Sequence, residues 1–322
     1  MPRIMRSLTI ATRGSRLALW QANFVATQIR GLSPAPLAVS LLVVKTEGDK
    51  NLDLPLAQIG GKGLFVTEIE NALLQGKADI AVHSMKDMPI DQPEELTLGI
   101  MLERGKHRDM FLSHNYANIK ALPRKAKIGT GSSRRAAQLL ALRPDLRILP
   151  LRGNVDTRLK KLAAREYDAL ILAAAGVRRL RLTAPFMMEL PMTRMLPACG
   201  QGALGLEFRK AREDLANFLA PLSHAQTNLC IMAERGYLAA LGGDCKTPVA
   251  AYADIRANTL VLRALLASVD GEKIFRARGK LHLPCGIQDA SNLGADIAEK
   301  ISLSGGAALL AELAARGPLH IT

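Results

Sequence analysis

The chain has 322 residues, enough for two or three domains, each with its own core. Its formal charge is +14, from 43 basic and 29 acidic residues, which fits either general solubility or a polyanionic ligand. Aromatic residues make up 4%, with Trp20 the single tryptophan, which excludes single-stranded nucleic-acid binding by stacked rings.

No apolar run approaches the roughly 18 residues of a membrane span. Met1-Pro2-Arg3-Ile4-Met5-Arg6 lacks the apolar core of a signal peptide, so a cytoplasmic protein is expected. Cys199, Cys230, Cys245 and Cys285 form no CxxC pair, against a disulfide framework or zinc site.

Up to about residue 210, strand-like and helix-like segments alternate. Ser7 to Thr12 reads as a strand. Arg16 to Ile29 reads as a helix with Leu17, Trp20 and Phe24 on one face. Val39 to Lys45 is an apolar strand, Leu64 to Gln75 a helix and Ile80 to His83 a strand. The rhythm restarts with a strand from Lys127 to Thr130. A helix follows, capped by Ser132 or Ser133 and ended at Arg143 by Pro144. Arg147 to Leu151 is a strand, Val155 to Ala164 a helix and Asp168 to Ala173 a strand. This is the βαβ rhythm of a parallel sheet. The last third differs. A helix from Ala225 to Leu241 precedes three β-like runs, Val249 to Ile255, Leu260 to Ser268 and Lys273 to Leu281. Helices from Ile287 to Ile301 and Ala307 to Ala315 follow.

The expected fold is α/β, with two α/β units around a cleft and a small C-terminal α+β domain. The expected domains are 1–104 with 196–218, then 105–195, then 219–322.

Basic residues recur where predicted strands end. Arg13 follows the first strand and Lys86 the third. Lys62 sits in Gly60-Gly61-Lys62-Gly63 at a helix start. Arg134 and Arg135 occupy the first turn after Ser132. Arg152, Arg158, Arg178 and Arg179 follow later strands. Strand C-termini converge on one edge of an α/β sheet, and helix N-termini add N–H donors for anions. Arginine forks match carboxylates. Together these residues predict a site for several carboxylates or phosphates. Asp87, beside Lys86 and before Pro89, is the odd charge at that edge. It is either a local ion-pair partner or a carboxylate placed to meet a cationic or N–H-bearing centre. Cys245, in Gly242-Gly243-Asp244-Cys245-Lys246-Thr247-Pro248, lies on a loop, as does Cys199. Cys230 reads as helix core, and His83 as a satisfied structural histidine.

Several segments, in this order, resemble the porphobilinogen deaminase family. They are Ala11-Thr12-Arg13-Gly14-Ser15, Leu17 to Ala22, Gly60 to Phe65, His83 to Pro89, Ser132 to Arg135, Leu151 to Val155, Gly200 to Ala203 and Gly242 to Cys245. The resemblance spans nearly the whole chain. It implies two periplasmic-binding-protein-like domains and a smaller third. It also implies an enzyme, hydroxymethylbilane synthase, that joins four porphobilinogen molecules head to tail with loss of ammonia. The family builds its product on a dipyrromethane cofactor held by a thioether, and Cys245 matches the anchoring cysteine. Asp87 matches the catalytic aspartate. Ser84, Lys86, Thr130, Ser132, Arg134 and Arg135 match cofactor-binding positions. Arg13, Ser15, Arg152, Arg158 and Arg179 match substrate-binding positions, and Lys62 and Phe65 match a loop over the site. Each pyrrole carries an acetate and a propionate, which gives the basic excess a purpose. The resemblance further implies a monomer that hands its product to uroporphyrinogen-III synthase.

There are departures. Gln58 stands where many relatives have lysine, Gly131 and Ser133 replace an expected serine and leucine, and Asp244 and Lys246 flank Cys245. None removes a residue assigned to catalysis. Two other readings remain at this stage. A non-catalytic two-lobed anion-binding protein would need neither Cys245 nor Asp87. A nucleic-acid binder would show a basic stripe with aromatic or helix-turn-helix elements, and none is visible.

Overall fold

The computed structural model describes residues 5–46, 66–242 and 247–315. In chain order the first elements are β1 (Ser7–Arg13), α1 (Arg16–Leu32), β2 (Ala38–Val44), α2 (Thr67–Leu74), β3 (Ile80–Ser84) and β4 (Leu96–Met101). Next come β5 (Asp109–Ser113), β6 (Lys127–Gly129), α3 (Ser133–Leu142), β7 (Arg147–Leu149) and α4 (Val155–Ala163). They are followed by β8 (Ala169–Ala173), α5 (Ala174–Arg179), β9 (Phe186–Glu189), β10 (Leu204–Arg209), α6 (Glu213–Leu219) and α7 (Ala225–Leu241). The chain closes with β11 (Val249–Arg256), β12 (Thr259–Ala267), β13 (Ile274–His282), α8 (Ile287–Ile301) and α9 (Ala307–Ala315). The fold is therefore mixed α/β, with a three-stranded sheet and helices near its C-terminal end.

Two compact units form. One comprises Met1–Arg104 with Ala203–Asn228, the other Gly105–Gly202 with Leu229–Thr322. The first unit is built on a five-stranded sheet in the order β2-β1-β3-β10-β4. β1 runs parallel to β2 and β3, while β10 is antiparallel to both β3 and β4. The second unit repeats this plan in the order β7-β6-β8-β5-β9. There β6 is parallel to β7 and β8, and β5 is antiparallel to β8 and β9. The parallel rhythm read from the sequence thus holds for three strands of each sheet. The antiparallel fourth strand is the correction. In the first sheet it is supplied by a segment that returns from 100 residues further along, which no local pattern announces.

Packing follows the side-chain period. On α1, Gln21, Ala22, Val25, Ala26 and Ile29 are buried, spaced for one helical face. Ala22, Val25, Ala26 and Ile29 meet Leu8 and Ile10 of β1, Val82 of β3 and Phe208 of β10 in one core. Each fully buried Val, Ile or Phe there contributes roughly 1.5–3 kcal/mol. Leu17, Trp20 and Phe24 are not that core face. Trp20 and Phe24 stack at 5.4 Å on the outer side, with Phe24 39% exposed. Ser15 starts the helix by accepting a bond from the Ala18 N–H (3.2 Å).

In the second unit, β11, β12 and β13 form an antiparallel meander. Leu260, Leu262 and Leu266 of β12 pack with Tyr237 of α7 and with Leu293, Ile297 and Ile301 of α8. α7 and α8 approach so closely that glycine is needed at the crossing. A β-carbon on Gly236 would meet the Ser291 carbonyl oxygen, and one on Gly294 the Ala233 carbonyl oxygen. Gly294→Ala is expected to lower stability by roughly 1–3 kcal/mol, since backbone rather than a side-chain tip must yield. Gly31→Ala, whose β-carbon meets nothing within 4 Å, should leave stability unchanged or slightly raised. Urea midpoints of the two variants check the contrast.

Candidate active site

In the first unit the candidate residues leave one edge of the sheet. β1 and β3 are adjacent and parallel, with Ala11 opposite Ala81, so Arg13 and His83 lie level at their C-terminal ends. β3 then passes into a single 3-10 turn, Met85–Asp87. The Met85 N–H donates to the Ala203 carbonyl (3.1 Å), and the Met88 N–H closes the turn on the Met85 carbonyl (3.3 Å). Met85 and Met88 are buried at 2% and 4%, so the turn is pinned on both sides. Lys86 and Asp87 between them are left exposed. The Asp87 carboxylate makes no hydrogen bond or ion pair with another described residue, so the local ion-pair reading finds no partner there. Gln21 Nε2 donates to Ser84 Oγ (3.2 Å), tying the strand end to α1. Arg13 is half-buried and Ser15 caps α1.

The second unit presents its candidates in the same way, at the C-terminal ends of β6, β7 and β8. Thr130 follows β6, and its Oγ1 accepts from the Ser132 N–H (3.2 Å). Ser132 caps α3 by accepting from the Arg135 N–H (3.4 Å). Arg152 follows β7 and is half-buried; burial pushes its guanidinium down from the ordinary arginine value. Gly153 holds φ at +92°, and a β-carbon there would meet Thr157 Cβ at 2.9 Å. That turn lets Asn154 cap α4, and Arg158 Nε donates to the Gly153 carbonyl (2.9 Å). Arg179 ends α5, which follows β8, and donates through Nη2 to the Gly202 carbonyl (3.1 Å). Burial pushes Arg179 down to about 10, so at neutral pH it is a cation stripped of much of its hydration.

Arg134 and Arg135 occupy a different environment. Both are buried, at 4% and 6%, around Asp109, which is fully buried. Arg134 Nη1 donates to Asp109 Oδ2 (2.6 Å) and the Leu196 carbonyl (2.7 Å). Arg135 Nε donates to Asp109 Oδ1 (3.0 Å), and its Nη1 to the Ile171 carbonyl (3.0 Å). Gln201 Nε2 adds a bond to Asp109 (3.1 Å). Burial alone would raise the Asp109 carboxyl, but the two guanidinia outweigh it and hold it well below the usual carboxylate range. The forks that the sequence offers as anion donors are thus engaged by this carboxylate. Arg134 Nε is buried with no hydrogen-bond partner.

Sequence reasoning passed over three buried acids. Asp109 sits just before the apolar run of β5. Glu207 interrupts the apolar β10, and its Oε2 lies 2.9 Å from His83 Nε2. Glu234 on α7 accepts from the Gly200 N–H (2.6 Å) and the Ala253 N–H (2.8 Å), joining the Gly200–Gly202 loop to β11. For Glu207, a lone acid inside an apolar strand was the available signal. His83, 5% exposed, is the satisfied histidine that the sequence suggests. Cys199 and Cys230 are buried, at 8% and 6%. Lys62, Phe65 and Cys245 lie outside the described residues, as do Gln58, Asp244 and Lys246.

Half-buried or exposed cations at the ends of parallel strands suit ligands rich in carboxylates, and pyrroles bearing acetate and propionate groups fit that donor set. Fold and donor set together suit an α/β protein that takes polyanionic ligands. Two family models match the chain, the porphobilinogen deaminase dipyromethane cofactor binding domain over residues 8–217 and the porphobilinogen deaminase C-terminal domain over residues 228–302. A porphobilinogen deaminase of Lawsonia intracellularis is 51% identical over 96% of this chain and 99% of its own length. One from Nitratidesulfovibrio vulgaris is 50% identical, covering 97% and 99%, and one from Bordetella parapertussis 48%, covering 97% and 98%. Among solved structures, an ancestral cationic amino acid solute-binding protein is similar with a TM-score of 0.41 and 14% identity, over 67% of this chain and 87% of that one.

The chain belongs to the porphobilinogen deaminase family. It is a transferase of tetrapyrrole biosynthesis that joins porphobilinogen units head to tail with loss of ammonia on a dipyrromethane primer and releases hydroxymethylbilane. Among the described residues, no helix is long and apolar enough to cross a membrane.

Removing the buried carboxylate should expose how much the second unit depends on it. Asp109→Ala leaves two guanidinia buried without their counter-charge and is expected to cost roughly 3–5 kcal/mol. Chemical denaturation of the purified variant checks this, with Glu312→Ala, at the exposed pair with Lys273, as a mild control.

Proposed function

We propose that Asp87 is the catalytic carboxylate of this transferase and that Cys245 carries the dipyrromethane through a thioether. The observation that carries the reading is an exposed acid, without a described ion-pair partner, at a sheet edge otherwise supplied with cations. Asp87 accepts hydrogen bonds from pyrrole N–H groups. Its charge stabilises the positive charge that develops on the substrate ring as ammonia leaves. A nearby carboxylate that carries a proton assists its transfer to the departing amine nitrogen. When bound, the dipyrromethane supplies the pyrrole carbon to which the first substrate unit is joined.

Lys86, Ser84, Thr130 and Ser132 are assigned to the cofactor, with Arg134 and Arg135. The last two contribute chiefly charge, because Asp109 engages their forks. Arg13, Ser15, Arg152, Arg158 and Arg179 are assigned to the acetate and propionate groups of the substrate. A desolvated guanidinium such as that of Arg179 gains most from a carboxylate, since the anion replaces lost hydration. Lys62 and Phe65 are assigned to a covering loop. The proposal extends to a cytoplasmic monomer divided at 104, 195 and 218, whose product passes to uroporphyrinogen-III synthase.

Asp87→Asn is expected to reduce porphobilinogen consumption by about a thousandfold, the scale of a lost charge-stabilising group, with the thermal midpoint unchanged. Near-native turnover would sink the role given to Asp87. Intact-protein mass spectrometry of active enzyme should show the added mass of one dipyrrole, and peptide mapping should place it on Cys245. An unmodified cysteine in active protein would refute the tether. Arg152→Ala or Arg158→Ala should make partly elongated chains accumulate on the enzyme, seen as extra mass steps absent from the native protein.

A further inference from the structure

The three-stranded sheet has an open, basic edge. β12 pairs with β11 on one flank and with β13 on the other, so β13 is an edge strand. Its two ends fix its hydrogen-bonding phase. The Leu283 N–H donates to the Asn258 carbonyl (3.0 Å), and the Ser268 N–H to the Lys273 carbonyl (2.8 Å). Both pairs continue the β12–β13 register, so the odd-numbered residues of β13 bond to β12. The N–H and C=O groups of Ile274, Arg276, Arg278, Lys280 and His282 therefore point away from the sheet. Among the described residues no other backbone group bonds to them. The inner side of the strand is held in place. Phe275, Ala277 and Leu281 pack into the core with α7 and α8, and a β-carbon on Gly279 would meet Leu293 Cδ1 at 2.8 Å.

The outward-pointing residues also share one sheet face, where Arg276, Arg278 and Lys280 are exposed and about 7 Å apart along the strand. None of the three side chains makes a hydrogen bond or ion pair with a described residue. Register sets Arg278 directly opposite Arg263 of β12, a like-charged pair that repels. Asp254, the one acid that the three strands place on this face, is engaged by Arg263 (2.7 Å) and Arg256 (2.5 Å). Arg278 is thus left uncompensated. Charges on an open edge keep copies of one chain from pairing, but a strand of opposite sign gains backbone bonds and neutralises them. We propose that β13 is a docking edge for an extended acidic segment of a partner protein, which adds as a fourth strand with carboxylates opposite Arg276, Arg278 and Lys280. Such docking does not depend on the roles given to Asp87 and Cys245. A nucleic acid fits less well. Tyr252, the aromatic residue of this face, is buried, which leaves bases nothing to stack on, and a phosphodiester chain has no N–H for the open carbonyls.

The test uses holoenzyme and a labelled peptide as long as β13, 9 residues, in which glutamate alternates with threonine. Fluorescence anisotropy should show binding that weakens several-fold as salt is raised through the physiological range. An isomer of equal charge with its glutamates in one block should bind more weakly, because its carboxylates miss the alternate register. Amide hydrogen exchange followed by NMR should slow on binding at Arg276, Arg278 and Lys280, with Ala277 and Gly279 unchanged. Arg278→Glu should weaken the peptide complex about tenfold or more while porphobilinogen turnover and the thermal midpoint stay near native. Lys280→Glu takes its place if that variant does not fold. Absence of binding, equal affinity for the two isomers, unaltered exchange at the three amides, or full affinity in the folded variant each overturns the docking edge. A single-stranded oligonucleotide that displaces the peptide and binds more tightly assigns the face to nucleic acid, and overturns it as well.

Discussion

The second unit depends on one buried carboxylate. Asp109 begins β5, and the two buried arginines at the start of α3 close on it. Through those arginines it reaches the Leu196 carbonyl and the Ile171 carbonyl, and through Gln201 the Gly200–Gly202 loop. Strand, helix start and loop are thus held by a single charge. Such a cluster gains little over a well-packed apolar core, but losing one member leaves the others uncompensated. It therefore fixes geometry more than it adds stability.

That geometry matters because the surrounding candidates are few and specific. Gly153 and Gly202 both hold φ at +92° and bring backbone close to Thr157 and to the Lys106 carbonyl. Arg158 and Arg179 each donate to the carbonyl of one of these glycines. These two guanidinium groups are in this way held in part by backbone carbonyls. The first unit uses the opposite device. Buried methionines pin the turn, and the acid and base between them stay exposed.

Much of this was legible in the residues. The helices at Ala225–Leu241, Ile287–Ile301 and Ala307–Ala315 have the bounds that apolar periodicity sets, and Ser132 caps its helix as its chemistry demands. The parallel strands were readable because short apolar runs alternate with helical patterns. β4, β5, β9 and β10 were not read, since an antiparallel strand joined from afar has no neighbour in sequence to announce it. On α1 the large apolar side chains Trp20 and Phe24 drew attention, yet the buried face is made of the smaller Ala22, Val25 and Ala26. Close packing against the sheet selects volume, not hydrophobicity alone.

The sequence by itself determined the family and, through it, the chemistry of the ligand, because those are matters of residue type and local order. Charge, turn formers and strand ends can all be read within a few positions. Only the tertiary structure decided which charges are matched inside the protein. Arg134 and Arg135 look like open forks until Asp109, about 25 residues away, is brought between them. His83 looks solitary until Glu207, 124 residues on, arrives at its side. Burial sets whether a charge must be matched within the protein or can wait for a ligand, and burial is a property of the assembled fold.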